Sequence, residues 1–183
     1  MLNGLNKSRA VAIFISGGGS TLQALLELQH HINIGLVVTN KKNILGISKA
    51  KRFGKKLINI NNKTDYLEVN RLLIDHKIEY ILLAGFMKIL PPNFIALWKN
   101  KIINIHPSLL PMYPGLSAAE KSWTDNAAMG ATLHIVTDKM DAGDIKLQQK
   151  SLSNSKYIEY IEANLFLRRT EQFLLRELTI RYF

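Results

Sequence analysis

Residues 11–21 are Val11-Ala12-Ile13-Phe14-Ile15-Ser16-Gly17-Gly18-Gly19-Ser20-Thr21, an apolar run that ends abruptly in three glycines. A short, continuous apolar run is typical of a strand in a parallel sheet that is covered on both faces. Glycines allow a tight turn after the strand, and the following residues carry Leu22, Leu25 and Leu26 at helical spacing. The stretch therefore predicts a buried strand, a tight turn and a helix over 21–30.

The same alternation of strand and helix continues to about residue 105. It predicts strands over 34–39, 56–60, 80–84 and 102–105, and helices over 44–53 and 64–76, the second with Leu67, Leu72 and Leu73 as apolar positions. Prolines and a glycine then mark an irregular stretch over 107–115. Two more strands are expected over 132–137 and 145–149, followed by a helix over 155–181. Its core candidates are Ile158, Ile161, Leu165, Phe173 and Leu174.

This order of elements predicts one α/β domain over residues 1–183. Alternating strands and helices give a right-handed, mostly parallel sheet with helices on both faces. We therefore expect a Rossmann-like, three-layer fold with an antiparallel extension of the sheet near the C-terminus.

Composition excludes several classes of protein. The chain has 183 residues, 47% of them hydrophobic, and no cysteine. This argues against intrinsic disorder and excludes a disulfide scaffold, an iron–sulfur cluster, a cysteine zinc site and a cysteine nucleophile. Lys and Arg number 24 against 14 Asp and Glu, a net charge of +10. This charge is consistent with nucleic-acid binding, with small anionic ligands, or with a compositional bias toward Lys, Asn and Ile.

The N-terminal region does not match a targeting segment. Its apolar run is six residues, shorter than the roughly 7–15 residues of a signal peptide. No stretch approaches the roughly 18 apolar residues that a membrane span requires. We expect no membrane association and a cytoplasmic location.

Ligands of such sheets bind beyond the carboxyl ends of the strands, so the loops there are the candidate sites. The glycine loop at 16–21 favours a phosphate cradle at a helix N-terminus over an ordinary tight turn. The apolar loop at 85–92 would line a pocket for a flat ligand or pack a helix, and spacing alone does not decide. The basic run at 41–56 has seven cations and no acid, and favours a solvated helix face over a binding patch.

Two further segments carry candidate chemistry. Alternation puts Asn104 and His106 on one side of a strand end, where both would stabilise an oxyanion or simply form a satisfied polar pair. The loop at 137–144 holds three Asp residues without EF-hand spacing, so local turn chemistry is the alternative to a functional carboxylate. One Asp directed at His106 would favour its protonated form. His134 would face the same pocket or the core.

Together these residues resemble the folate-dependent formyltransferases. The resemblance runs from about residue 10 to 150, and its INIHPSLLP string is specific to that superfamily. The strings that carry it are ISGGGSTLQ (15–23), AGFMKIL (84–90), INIHPSLLP (103–111), YPGL (113–116) and HIVTDKMDAG (134–143).

The resemblance implies transfer of a formyl group from 10-formyltetrahydrofolate to the amine of 5-phosphoribosyl-glycinamide in purine biosynthesis. His106 would be the acid and oxyanion stabiliser, Asn104 would hold the formyl oxygen, and Asp141 would keep His106 protonated. No metal is implied, and the partners would be small anions rather than nucleic acid. The other implied contacts are Gly19, Ser20, Thr21, Thr170 and Glu171 for the ribonucleotide, and Lys63, Met87, Lys88, Ile89, Leu90, Thr137, Asp138, Lys139 and Met140 with Asn104 and Asp141 for the folate.

The chain departs from the family pattern at four places. Gly18 stands where Asn is common, Ser117 where His is common, and Lys63 where Arg is common. The last change would weaken bidentate contact with a folate carboxylate. Thr170-Glu171 replaces a Glu-His pair near the ribose, and is the least secure of the implied contacts.

Three other functions use or resemble the same residues. Hydrolysis of 10-formyltetrahydrofolate uses the same Asn, His and Asp set. The family members that catalyse it carry an extra N-terminal domain. Formylation of methionyl-tRNA would explain the basic charge. The family members that catalyse it carry a further C-terminal domain. A catalytically idle folate- or nucleotide-binding module is the fourth possibility, against which the retained trio argues.

Overall fold

The computed structural model describes residues 9–61, 64–151 and 159–183. These residues form a seven-stranded sheet flanked by six helices. The elements are β1 Ala10–Ile15, α1 Ser20–Glu27, β2 Asn33–Thr39, α2 Leu45–Arg52, β3 Leu57–Asn59, α3 Tyr66–Asp75, β4 Tyr80–Leu83, α4 Pro92–Leu97, β5 Ile102–His106, α5 Ala118–Thr124, β6 Gly130–Ile135, β7 Ile145–Lys150 and α6 Tyr160–Tyr182.

The strand order is β3-β2-β1-β4-β5-β6-β7. The first five strands in this order pair in parallel, while β6 pairs antiparallel with β5 and β7 antiparallel with β6. The expected mostly parallel sheet with an antiparallel C-terminal extension is confirmed.

Strand β1 is buried on both faces, as its continuous apolar sequence predicts. Ile13 belongs to the core between the sheet and helices α1 and α6, whereas Phe14 belongs to the core formed with α3 and α4. Both side chains are fully buried. The hydrophobic effect on two faces therefore places β1 at the centre of the sheet.

Strands β1 and β4 are neighbours in the sheet, and the helices that follow them pack on opposite faces. Helix α1 follows β1 onto one face, and α4 follows β4 onto the other. In sheets of this kind, ligands usually bind at the carboxyl edge where two neighbouring strands send their chains to opposite faces. A backbone bond from the amide of Ser16 to the carbonyl of Gly85, at 3.1 Å, joins the loops that leave β1 and β4.

Most expected elements are present within a few residues of their predicted bounds. Helices α4 and α5 are not expected from the sequence, because both are short and α4 begins at a proline pair. Pro92 occupies the first turn of α4, where a missing amide hydrogen costs nothing. The predicted helical residues 155–158, including Ile158, lie outside the described residues.

Some predicted core positions are wrong. Ile161, Leu165 and Phe173 of α6 are 76%, 53% and 51% exposed. Leu174 is buried as expected. Helix α6 has apolar residues on several sides, so their spacing does not identify which side meets the sheet. Among the described residues, no helix combines the length and apolar character needed to cross a membrane.

Candidate active site

The end of β5 carries two polar side chains on one face of the strand. Asn104 and His106 alternate with the buried residues Ile103 and Ile105. In the antiparallel pairing with β6, Asn104 lies opposite His134, and His106 lies opposite Thr132. Register therefore brings a second histidine next to the Asn and His pair that the sequence predicts to act together.

Asp141 lies between the two histidines. Its Oδ2 is 3.5 Å from Nδ1 of His106, and its Oδ1 is 3.4 Å from Nε2 of His134. The backbone has the left-handed φ of 49°, which turns the side chain back toward β5. The amide of Gly115 donates to Oδ2 at 2.7 Å and holds the carboxylate in place. Asn104, His106 and Asp141, predicted to form one site, do lie together.

This environment favours the charged form of Asp141. The hydrogen bond with His134 is the largest influence, and the Gly115 amide and the histidine charges add to it. Partial burial opposes them, and the net effect lowers the Asp141 pKa to about 2. Asp141 is therefore a stable anion at neutral pH, placed to stabilise an imidazolium on either side.

Both ring nitrogens of His106 face hydrogen-bond acceptors. Nδ1 faces the Asp141 carboxylate, and Nε2 lies 2.8 Å from the backbone carbonyl of Tyr113. A carbonyl oxygen only accepts, so Nε2 carries a hydrogen. The hydroxyl of Ser108 also donates to the Tyr113 carbonyl, at 3.3 Å, and to that of Met112, at 2.6 Å. These contacts on both sides fix the orientation of the buried His106 ring.

The orientation of Asn104 depends on the protonation of His134. Nδ1 of His134 lies 3.0 Å from the Ile135 carbonyl, so that nitrogen carries a hydrogen. Nε2 lies 3.2 Å from the Asn104 amide nitrogen and also faces Asp141. A neutral His134 accepts from Asn104 at Nε2, whereas a cationic His134 donates to Asp141 and turns the Asn104 amide oxygen toward itself. The second state leaves the Asn104 NH₂ group free to donate elsewhere.

The glycine loop follows β1 at the same edge of the sheet. Gly19 has a left-handed φ of 67°, and a Cβ there would lie 2.9 Å from the Cα of Gly46. Only glycine allows the start of α1 to approach the start of α2 this closely. A Cβ on Gly17 or Gly18 would meet no atom within 4 Å, so the outer side of the loop has room for a ligand.

Helix α6 forms the opposite wall of a small cleft at the start of α1. Ser20 and Thr21 line one side, and Arg168 and Glu171 line the other. Burial raises the Glu171 pKa to about 7, although the Arg168 charge acts in the opposite direction. Thr170 does not line this cleft, because it is buried and its hydroxyl donates to the Phe166 carbonyl at 3.0 Å. Of the predicted Thr170-Glu171 pair, the structure places Glu171 beside the loop.

The loop after β4 is fastened to the glycine loop by Ser16. The Ser16 hydroxyl donates to Asn40 at 2.6 Å and accepts from the Met87 amide at 2.8 Å. Met87 and Ile89 are exposed at 68% and 77%, while Leu90 packs in the core at 3% exposure. Lys88 donates to the Asn61 carbonyl at 3.1 Å. Met87 and Ile89 therefore present apolar surface to solvent, while Leu90 fixes the loop to the core.

The remaining predicted folate contacts are Lys63 and the residues just before Asp141. Thr137 bonds the Lys139 carbonyl at 3.1 Å, and Asp138, Lys139 and Met140 are exposed on the loop that leads to Asp141. Lys63 lies outside the described residues. The described residues contain no group of three or more His, Cys, Asp or Glu placed to hold a metal ion.

Sequence reasoning missed three participants. Arg168 had no motif to distinguish it, and the Tyr113 contact uses a backbone carbonyl, which no sequence pattern reveals. Ser16 was treated only as part of the glycine loop. The sequence leaves His134 between pocket and core, because the antiparallel register that sets it opposite Asn104 joins strands about 30 residues apart in the chain.

Comparison with known proteins gives a consistent result. Residues 9–153 match the family model described as formyl transferase. The chain is 33% identical over 188 residues to phosphoribosylglycinamide formyltransferase of Haemophilus influenzae, covering 96% of this chain and 87% of the relative. The crystal structure of phosphoribosylglycinamide formyltransferase from Bacillus halodurans superposes with a TM-score of 0.88 at 28% identity, covering 94% of each chain.

Other matches are to larger or differently named proteins. The chain is 40% identical over 157 residues to the human trifunctional purine biosynthetic protein adenosine-3, covering 78% of this chain and 15% of that protein. Across the trifunctional relatives, the match spans 11% to 15% of their length. A formyltetrahydrofolate deformylase structure from Pseudomonas syringae superposes with a TM-score of 0.84 at 26% identity, covering 95% of this chain and 61% of that one.

Proposed function

Because this chain belongs to the formyl transferase family, we propose that it transfers the formyl group of 10-formyltetrahydrofolate to the amine of 5-phosphoribosyl-glycinamide, a step of purine biosynthesis. The observation that carries the proposal is the meeting of Asn104, His106 and Asp141 at the edge of the sheet that also holds the glycine loop. One group positions an oxygen, one carries a proton and one is a permanent anion.

The reaction proceeds by direct attack of the amine on the formyl carbon. A new C–N bond forms, and the formyl oxygen becomes an oxyanion. The imidazolium of His106 and the NH₂ group of Asn104 stabilise this charge by donating to it. The tetrahedral intermediate then expels N10 of the folate, which takes a proton, while the attacking nitrogen loses one. The proton passes from the attacking nitrogen to N10, while Asp141, kept ionised by its low pKa, stabilises the charge on His106.

Substrate binding has to release the Nε2 hydrogen of His106 from its hydrogen bond with the Tyr113 carbonyl. Nε2 of His106 donates to the Tyr113 carbonyl at 2.8 Å in the structure, and Nδ1 faces Asp141. For His106 to reach the oxyanion through Nε2, it must exchange the Tyr113 carbonyl for the formyl oxygen. The exchange replaces a neutral acceptor with a developing anion, and charge-assisted hydrogen bonds are the stronger kind.

The ribonucleotide binds at the glycine loop. Its phosphate accepts from backbone amides at the start of α1, where Gly17 and Gly18 leave open space. Glu171 accepts from a ribose hydroxyl, and Arg168 adds positive charge near the phosphate. The folate lies along Met87–Leu90 and Thr137–Asp141. Both substrates are anions, so the net charge of +10 favours their encounter.

Acceptor dependence tests the proposal. The protein is mixed with 10-formyl-5,8-dideazafolate, and release of the deformylated folate is followed by absorbance. We expect release only when glycinamide ribonucleotide is also present. Glycinamide riboside, which lacks the phosphate, should raise KM because it cannot use the glycine loop.

Two outcomes would contradict the proposal. Release without ribonucleotide would identify a hydrolase, the second candidate, which the likeness to the Pseudomonas syringae deformylase favours. No release with both substrates, from protein that binds the folate, would identify a catalytically idle module.

A further inference from the structure

One side of helix α2 packs against the glycine loop. A Cβ on Gly46 would lie 2.9 Å from the Gly17 carbonyl oxygen, so the first turn of α2 touches the loop itself. One turn later, the Lys49 ammonium donates to the Gly19 carbonyl at 3.2 Å. One turn further, Arg52 donates to a glutamine side chain of α1 at 3.3 Å. These three residues are spaced by three, which places them on the same side of the helix.

Lys49 is a half-buried cation that has no anionic partner in the part of the chain that the structure describes. None of the ion pairs formed there includes it, and no acidic residue occurs over 41–56. Its hydrogen bond to Gly19 goes to a neutral carbonyl. A partly desolvated charge is stabilised by an opposite charge nearby, and an anion held at the glycine loop would supply that charge.

The hydrogen bond from Lys49 also fixes the direction of a backbone donor. The Gly19 carbonyl accepts from Lys49 and, at 2.9 Å, from the amide of Gln23. This carbonyl and the Ser20 amide belong to one planar trans peptide unit, in which C=O and N–H point in opposite directions. Two donors on the carbonyl therefore hold the Ser20 N–H directed out of the start of α1. Within the described ranges, that N–H has no acceptor.

We propose that Lys49 is a positioning residue for the phosphate of the ribonucleotide, a role that rests on the proposed function of the glycine loop. Its charge lies behind the loop, beyond the Gly19 carbonyl, and attracts a phosphate dianion to the opposite side. Its hydrogen bond keeps the Ser20 amide directed at that phosphate. Lys49 acts through the Gly19–Ser20 peptide and does not touch the substrate. It therefore sets the affinity for the phosphorylated substrate, and neither the transfer step nor folate binding.

The exposed cations of the basic run over 41–56 are solvated, as the sequence predicts. They are Lys41, Lys42, Lys51, Arg52 and Lys56. Lys51 follows Lys49 by two residues, about 200° around the helix, and so lies on the far side of α2 from the glycine loop. Because Lys51 has the same charge on the same helix, it provides the matched control for Lys49.

Equilibrium binding tests the inference without any reaction. Calorimetry with glycinamide ribonucleotide, in the absence of folate, compares the unaltered protein with three variants. Lys49→Met keeps the length of the side chain but removes the charge and the donor, and should weaken binding by about 10-fold. Lys49→Arg keeps both and should bind nearly as tightly as the unaltered protein. Lys51→Met, which changes the net charge equally, should bind like the unaltered protein.

Two further measurements separate positioning from loss of structure. Glycinamide riboside, which lacks the phosphate, should bind to Lys49→Met and to the unaltered protein with equal affinity. In the formyl-transfer assay, Lys49→Met should raise the KM for the ribonucleotide while kcat and the KM for folate stay unchanged. Its melting temperature should change little, because the Gly19 carbonyl keeps its bond from the Gln23 amide.

The outcomes distinguish this inference from the proposed function. Equal ribonucleotide affinity of Lys49→Met and the unaltered protein would overturn the inference, as would an equal loss in Lys51→Met or a matching loss of riboside binding. Binding that depends on Lys49 in a protein that transfers no formyl group would support the inference and refute the proposed function. An unaltered protein that does not bind the ribonucleotide would refute both.

Discussion

Asn104 and His134 face each other across the antiparallel pair of β5 and β6, with the Asn104 amide nitrogen 3.2 Å from Nε2 of His134. His134 is 1% exposed and bonds the Ile135 carbonyl through its other nitrogen. Its ring is therefore fixed, and it determines which end of the Asn104 amide points away from it. In the proposed mechanism, His134 is a positioning residue for Asn104.

Replacing His134 tests that role. His134→Leu should lower kcat about 10-fold, the effect of losing roughly 1.4 kcal/mol of transition-state stabilisation, with little change in the KM for folate. His134→Gln, which can still hydrogen-bond to Asn104, should recover part of the rate. Steady-state kinetics with both substrates measure the difference. An unchanged kcat for the Leu variant would remove His134 from the mechanism.

Removal of His106 should have the larger effect. His106→Ala is expected to lower kcat by about 10²–10⁴-fold, the usual contribution of a positioned acid, because the oxyanion loses its charged donor. Folate binding, measured by fluorescence, should persist. His31→Ala, at an exposed position on the surface, is the matched control and should retain full activity. Near-normal turnover by the His106 variant would refute the assigned chemistry.

Asp141 should stabilise the folded protein except in strong acid. Its pKa is lowered from 3.8 to about 2, first by the hydrogen bond with His134. The ionised form is therefore favoured by folding, and its contribution is present above pH 3.8 and lost as the pH falls toward about 2. Asp141→Asn should lower the free energy of unfolding by about 2 kcal/mol at pH 7 and by little near pH 2.

Urea unfolding across this pH range measures the effect. Asp138→Asn, at an exposed position in the same loop, is the matched control. An Asp141→Asn difference that stays constant from pH 7 to pH 2 would contradict the assigned electrostatics.

Glu171 should destabilise the folded protein at neutral and alkaline pH, unlike Asp141. Burial raises its pKa from 4.5 to about 7, so folding favours the protonated form. The cost of ionising it in the folded state appears above pH 4.5 and is complete above about pH 7. Glu171→Gln should therefore raise the free energy of unfolding at pH 8, by on the order of 1–3 kcal/mol, and change it little at pH 4. Glu79→Gln, at an exposed position outside the helices, is the control in urea unfolding at the same two pH values.

Gly19→Ala should be destabilising and should weaken ribonucleotide binding. The alanine would have to adopt the left-handed backbone conformation of Gly19, at a cost of about 1–2 kcal/mol. Its Cβ would also lie 2.9 Å from the Cα of Gly46. Relief of that contact moves the start of α1, so the KM for the ribonucleotide should rise. Gly17→Ala, whose Cβ meets no atom within 4 Å, should leave the melting temperature almost unchanged. Equal melting temperatures for the two variants would contradict the close-packing argument.

Local patterns predicted the sheet well and the last helix poorly. The continuous apolar run of β1 leaves no polar face, so burial on both sides was the only stable solution. Helix α6 offers apolar residues around much of its circumference, and the spacing of Ile161, Leu165 and Phe173 is as helical as that of the buried set. Only the position of the sheet decides which side is covered.

The amino-acid sequence by itself determined the alternation of strands and helices, the glycine turn after β1 and the common side of Asn104 and His106. Each depends on residues close together in the chain, where backbone geometry and side-chain periodicity are sufficient. The tertiary structure alone decided that Asp141 lies between two histidines, that Glu171 rather than Thr170 lines the cleft, and that Phe173 is exposed. These contacts join residues far apart in sequence, and they follow from the antiparallel register of β6 and the packing of α6, which no local pattern encodes.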